Sequence, residues 1–385
     1  MSDHEILPFD FQPRTRIVCG PGRIADLGNL ATELEASRVL VVSDPGIVAA
    51  GHTARGIAAL QSAGLATHLF DAVHQNPTTD DVESGLIFAQ TVQPDLIVAI
   101  GGGSSMDCAK GINFLHTNGG RMQDYWGRDK ARRDLLPMIA VPTTSGTGSE
   151  AQSFALISDA ATHVKMACGD RRAAFRVAIL DPELTLTQPP RVTALTGIDA
   201  ISHALETSVS TAWTPLSAML SREAWRLLSG AFGRVLDAPD DLDARGRMQL
   251  GACLAGLAIE NSMLGAAHAL ANPLTAQYGI VHGQAIAIVL PHVVGFNAAA
   301  CNHIYAELMG VPRANTSAQH SSDVLVKVLA AWITKAGLSD RLSAFDIPRE
   351  DLPALAATAA EQWTGTFNPR KVGAEELLGL YEAAY

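Results

Sequence analysis

No two of the five cysteines, Cys19, Cys108, Cys168, Cys253 and Cys301, are spaced as CxxC; they are odd in number and scattered. That pattern fits reduced, buried thiols better than a disulfide framework or a zinc–thiolate site. The chain also lacks a run of about 18 apolar residues and a basic-then-apolar leader in Met1–Asp10. Neither a membrane span nor a secretory signal is therefore read, and a cytoplasmic protein is expected. Lys and Arg form no uninterrupted block, and the formal net charge is −11. This argues against nucleic acid or an anionic membrane as the main partner. What the sequence does have is apolar bulk: 385 residues, 48% of them hydrophobic, exceed what one core usually organises, so two domains are expected.

The first half alternates short β-branched runs with longer helical patterns, the mark of a parallel sheet covered by helices. Strands are read at Arg38–Ser43, Thr67–Phe70, Leu96–Ile100 and Met138–Val141, and helices at Gly51–Gly64 and Asp80–Val92. Ile17–Cys19 is an outlying strand. After Asp181-Pro182 and Pro189-Pro190 the texture changes to Ala-, Leu- and Glu-rich segments. The expected fold is thus a doubly wound, Rossmann-like α/β domain over residues 1–187, followed by an all-helical domain over 188–385. Arg313–Ser322 reads as a surface loop.

Strand Leu96–Ile100 runs directly into Gly101, Gly102, Gly103, Ser104, Ser105, Met106 and Asp107, and a helical pattern follows. A glycine turn between strand and helix lets backbone N–H groups approach a diphosphate at the positive end of the helix. Ser104 or Ser105 can cap that helix and reach phosphate oxygens. The usual GxGxxG fingerprint is absent, and a plain linking turn would look similar. A second loop favours the ligand reading: strand Met138–Val141 leads into Pro142–Glu150, rich in hydroxyls and glycine, at the same sheet edge. Asp44 ends the first strand, where a carboxylate can accept ribose hydroxyls and repel a 2′-phosphate, or can simply start the turn Asp44-Pro45-Gly46.

A second cluster lies in the later half. Asp199 and His203, four residues apart, share a helix face, and His268 and His282 follow. One carboxylate and three imidazoles suit a divalent first-row ion such as Fe(II) or Zn(II), with a position left for a substrate oxygen. Such an ion is a Lewis acid toward an alcohol or carbonyl. The chain has 12 histidines, so the spacing alone also allows a hydrogen-bonded core His203. His292 is read as packing at a helix start.

Taken together these segments resemble the iron-containing alcohol dehydrogenase family over nearly the whole chain. The shared signatures are DPGI at Asp44, QNPT at Gln75–Thr78, GGGSSMDCAK, VPTTSGTGSE, DPELT at Asp181–Thr185, GIDAISHALE, GIVHG and FNPR at Phe367–Arg370. The resemblance implies NAD-linked hydride transfer, with NADP disfavoured, between the cofactor and a small alcohol or aldehyde. It implies that Asp199, His203, His268 and His282 hold the metal. Asp44, Asn76, Gly101 to Ser105, Asp107, Thr143, Thr144 and Thr147 would contact the nucleotide, and Lys165 would lie near the nicotinamide ribose. The active site would lie in the cleft between the domains. The segment Phe11–Val18 would cross to a partner, so a homodimer or larger homo-oligomer is expected.

Two departures from the family pattern stand out. Asn272 occupies a place, four residues after His268, where many relatives carry a histidine, so a released proton would leave through solvent or a cofactor hydroxyl. Phe154 replaces a commonly polar side chain and, with Phe367, is a candidate wall of the substrate pocket. The alternatives within the fold are a maleylacetate-reductase-like or hydroxyacid-oxidising enzyme and a dehydroquinate-synthase-like lyase; outside catalysis, a nucleotide sensor. Asp199 argues against the metal-free reductase. Residues 197–206 and 261–285 contain no Lys or Arg, which disfavours the anionic substrate of the lyase. The complete ligand set argues against a sensor.

Overall fold

The computed structural model describes residues 8–311 and 320–385. They form two compact units, Gln12–Gln188 and Pro189–Tyr385, the latter joined by residues 8–11.

The first unit runs β1 (Arg16–Cys19), α1 (Leu27–Glu33), β2 (Arg38–Val42), α2 (Pro45–Ala49), α3 (His52–Ser62), β3 (Ala66–Phe70) and α4 (Thr79–Val92). It continues through β4 (Leu96–Gly101), α5 (Gly103–Asn118), β5 (Gly127–Arg128), β6 (Met138–Pro142), β7 (Phe154–Ser158), β8 (Lys165–Gly169) and β9 (Val177–Leu180). Six of these strands make a parallel sheet in the order β1-β9-β6-β4-β2-β3. Val39–Val42 and Leu96–Ile100 are wholly buried at every position, so both faces of the sheet are covered, and this is why these strands read as unbroken apolar runs.

From β2 the chain steps outward to β3, then crosses back to β4 and on to β6 and β9. Strands β2 and β4 therefore flank the point where the winding reverses, the place at which open α/β sheets leave a crevice beyond the strand ends. The doubly wound class read from the sequence is the one observed. Ile17–Cys19 belongs to β1, an edge strand. The hairpin β7–β8, with β5 alongside, forms a separate three-stranded sheet that the sequence reading did not anticipate.

The second unit is helical: α6 (Pro190–Val209), α7 (Pro215–Asp237), α8 (Leu242–Glu260), α9 (Ala266–Tyr278), α10 (His282–Leu308), α11 (His320–Lys335), α12 (Leu352–Ala360) and α13 (Ala374–Ala383). Pro190 opens α6 at the first helical position, where its missing N–H costs nothing. From Thr193 to Val209 nearly every residue of α6 is buried, so it is the central rod of this unit. Thr214 and Asp241 cap α7 and α8 through Ser217 N–H and Ala244 N–H.

Two expectations, on His292 and on the loop before α11, need correction. His292 lies well inside α10, directly after the interior Pro291, not at a helix start. By length and composition α10 could cross a membrane, although no such span was read from the sequence; 61% of its most apolar window is buried inside the structure. Of the expected loop Arg313–Ser322, residues 313–319 lie outside the described residues. Ser321 and Ser322 are buried in the first turn of α11.

Candidate metal centre

The spacing along α6 sets the site. Asp199, His203 and Glu206 are four and three residues apart, so they line one face of a buried helix. Two other helices bring one imidazole each. His282 is the first residue of α10, and Gly283 beside it packs against the α6 backbone; a Cβ there would lie 2.3 Å from the Leu195 carbonyl oxygen. Only glycine allows that approach, one turn before Asp199. His268 sits in the first turn of α9, which starts after Gly265.

These elements converge on Asp199 Oδ1, from which His203 Nε2 is 3.4 Å away, His282 Nε2 3.5 Å and His268 Nε2 3.6 Å. The Nε2 atoms of His203 and His268 are 3.1 Å apart, with their rings stacked. Ligands on one ion at about 2.0–2.2 Å keep roughly 3–3.6 Å from one another; Asp199, His268 and His282 each offer a ligand atom within 4.8 Å of the others, and His203 Nε2 adjoins two of them. Asp199 Oδ1 is buried and has no hydrogen-bond partner among the described residues, a costly state unless something positive sits beside it. The donor set, one hard oxygen and three imidazole nitrogens, is suited to Fe(II) or Zn(II).

The electrostatics agree with the geometry. Burial alone would raise the Asp199 carboxyl, yet the charge of His203, with that of His282 and His268, holds it well below the usual carboxylate range. For His268, burial pulls the imidazole down, but the Glu206 carboxylate and Asp199 push it up to about 9. Glu206 is buried, and its Oε2 lies 2.6 Å from His268 Nδ1.

In the α/β unit the nucleotide candidates gather where β2, β4 and β6 end. Asp44 caps α2 by accepting from Ile47 N–H at 3.1 Å, and its Oδ2 accepts from Ser105 Oγ at 3.2 Å. Ser104 accepts from the Asn76 N–H, a residue held at φ +55°. Neither serine caps α5, as the sequence suggested; Gly102 is its N-cap, with no side-chain hydrogen bond. The first turn of α5 is thus left for a ligand or water. Gly102 and Gly103 touch the second loop: a Cβ on the former would meet Thr144 at 3.4 Å and on the latter Thr147 at 2.7 Å. Thr143 N–H donates to Gly101 O at 3.0 Å. Asp107 points inward, accepting from Ser149 Oγ at 2.6 Å beside the buried Lys110. Lys165 is exposed at the start of β8.

The three pocket candidates are distributed. Phe154 begins β7, its ring across Gly169 and under the Arg128 guanidinium at 4.9 Å. Asn272 is one turn beyond His268 on α9 and donates to Gln362 Oε1 at 3.0 Å. Phe367 packs edge-on against Trp363 at 6.0 Å.

Sequence reading missed Glu206, although it is the last residue of GIDAISHALE and continues the Asp199–His203 face. It also missed Lys110, wholly buried, which donates to Ser149 O, Ser149 Oγ and Phe154 O at 2.7–2.9 Å and so ties the second loop to α5. A lysine inside an apolar helical pattern was the available signal.

Comparison with known proteins places this architecture. Residues 13–182 match the family model described as iron-containing alcohol dehydrogenase, and residues 193–385 match the C-terminal model of the Fe-containing alcohol dehydrogenase family. The chain is 33% identical to alcohol dehydrogenase 4 of Schizosaccharomyces pombe, over 95% of this chain and 86% of that one. It is 30% identical to the NAD-dependent methanol dehydrogenase of Bacillus methanolicus, over 95% and 97% of the two chains. Its fold superposes on a crystal structure of 1,3-propanediol oxidoreductase with TM-score 0.95 and 31% identity, covering 98% of this chain and 100% of that one. With both units matched in order and the acid–imidazole cluster assembled on the second, the chain belongs to the iron-containing alcohol dehydrogenase family.

Proposed function

We propose that this protein interconverts a small primary alcohol and its aldehyde by hydride transfer with NAD, using one divalent ion, Fe(II) or alternatively Zn(II). The observation that carries the reading is the buried Asp199 Oδ1 ringed by three Nε2 atoms at 3.4–3.6 Å. Asp199, His203, His268 and His282 would hold the ion, which when bound supplies Lewis acidity that polarises the substrate oxygen.

The rest is done by the chain. Asp199 stays ionised, so it offers a charged oxygen to a cation. Uncapped amides at the start of α5, reached over Gly101–Gly103, favour the cofactor diphosphate. Asp44, held by Ile47 N–H and Ser105, keeps lone pairs for ribose hydroxyls and disfavours a 2′-phosphate. The methanol dehydrogenase relative named as NAD-dependent supports the same cofactor. Asn272 carries no titratable proton, so the proton released from an alcohol goes to solvent or a cofactor hydroxyl.

The reading includes a cytoplasmic setting and a homodimer or larger homo-oligomer, to be checked by cell fractionation and light scattering. Its central test is metal removal. Protein stripped by a chelator should lose NADH formation with short primary alcohols and regain it with Fe(II) or Zn(II). Full activity in the stripped protein would overturn the reading.

A further inference from the structure

We propose that Glu206 is a positioning residue of the metal centre, one carboxylate that both orients the His268 ring and caps the helix carrying it, braced by the buried pair Asn297 and Asn368. This rests on the metal reading above.

The Glu206 carboxylate divides its two oxygens. Oε2 lies 2.6 Å from His268 Nδ1, and Oε1 accepts the Ala267 N–H at 2.7 Å. A carboxylate can only accept, so Nδ1 carries a proton, and in the neutral ring the lone pair is then on Nε2. That is the atom facing Asp199 Oδ1 at 3.6 Å and His203 Nε2 at 3.1 Å. With the other tautomer, the nitrogen aimed at the cluster would carry a hydrogen and could not bind an ion.

The second oxygen does a separate task. Helix α9 has glycine at its N-cap and no side-chain cap of its own. Two of its first backbone donors are satisfied from elsewhere in the chain: Ala267 by Glu206, and Ala266 by Asn368 Oδ1 at 3.3 Å. Asn368 is itself fixed, donating to Asn297 Oδ1 at 2.7 Å and accepting from Asn297 Nδ2 at 2.9 Å. Gly265 leaves room for this arrangement, since a Cβ there would lie 3.0 Å from both Glu206 Oε1 and Asn368 Oδ1, a tight contact. Ring orientation and helix position thus share one buried carboxylate, and a negative group at a helix start is favourable as well.

The test uses the full-length protein and Zn(II) and Co(II) as probes. Glu206→Gln keeps the shape but offers one acceptor where the protein uses two. It should weaken Zn(II) binding about 10- to 100-fold and alter the visible spectrum of the Co(II)-loaded protein. NAD binding, measured by fluorescence, should stay within about twofold. Asn368→Ala should weaken Zn(II) binding in the same direction, by less. A folded Glu206→Gln protein with unchanged Zn(II) affinity and Co(II) spectrum overturns the proposal. Should that variant not fold, nitrogen NMR of the Zn(II)-loaded parent decides: a proton on His268 Nδ1 supports the proposal, and one on Nε2 overturns it. A parent protein that binds no Zn(II) at all overturns the metal reading instead.

Discussion

Ser105 Oγ donates to Asp44 Oδ2 at 3.2 Å, which joins the end of β2 to the first turn of α5 at the point where the sheet reverses its winding. Asp44 is therefore more than the first residue of a turn. It is oriented by two donors on different elements, the second being Ile47 N–H.

Replacing it should separate two effects. Asp44→Gly is expected to raise the ratio of kcat/KM with NADP to that with NAD at least tenfold, since the carboxylate that repels a 2′-phosphate is gone. Thermal unfolding should show only a small loss, a few tenths of a kcal/mol, because glycine is a tolerable N-cap. An unchanged cofactor ratio would reduce Asp44 to its capping role.

Metal uptake should release a proton. In the metal-free protein His268 is held protonated up to about 9, against an ordinary value of 6.5, so the pairing with Glu206 and Asp199 stabilises the metal-free fold fully below 6.5. That stabilisation is lost as pH rises to about 9. An ion competes with this proton, so apparent Zn(II) affinity should rise by roughly tenfold per pH unit from neutrality toward the raised value and then flatten. Calorimetry in buffers of different ionisation enthalpy would count the protons released.

Gly283→Ala should damage the centre from outside the ligand set. The added methyl would meet the Leu195 carbonyl, which is helix backbone and cannot step aside. The start of α10 must then move off α6, carrying His282 with it. A loss of about 1–3 kcal/mol in denaturant unfolding is expected, together with reduced Zn(II) content in the purified protein.

Lys110→Met probes the other unit. The amine is wholly buried, satisfied by three oxygens and 3.7 Å from Asp107 Oδ1. Removing it leaves a buried carboxylate without its cation, at a cost of about 3–5 kcal/mol. The second loop should loosen, so Kd for NAD should rise, while Zn(II) binding by the helical unit should hold. Equal loss of both would indicate general unfolding.

The strands were legible because β2, β4 and β6 are buried on both faces and so read as continuous apolar runs, each ending in glycine, serine or proline. Hairpin β7–β8 escaped because only one face is deeply buried: Leu156 and Lys165 are exposed, and the run breaks into mixed residues. Asp199 and His203 announced themselves by helical spacing, but nothing local ties them to His268 or His282. Donor chemistry suggested the association and the family resemblance implied the ligand roles; in the structure Gly283 admits the start of α10 against α6. Glu206 was passed over because an acidic residue at the end of an amphipathic pattern usually faces water. His292 was misplaced because Pro291 looked like a helix boundary, whereas α10 runs through it.

Helix α10, long and apolar, begins with one of the proposed ligands, and this links two failure modes. Helix α10 keeps its greasy flank hidden while α6, α9 and α11 pack against it. Any condition that lets those neighbours drift apart would hand its apolar stretch, which precedes a kink at Cys301, to chaperones, lipid or another unfolded copy. Heat inactivation of ion-depleted preparations should accordingly end in precipitate, and supplying the ion beforehand should keep the solution clear for longer.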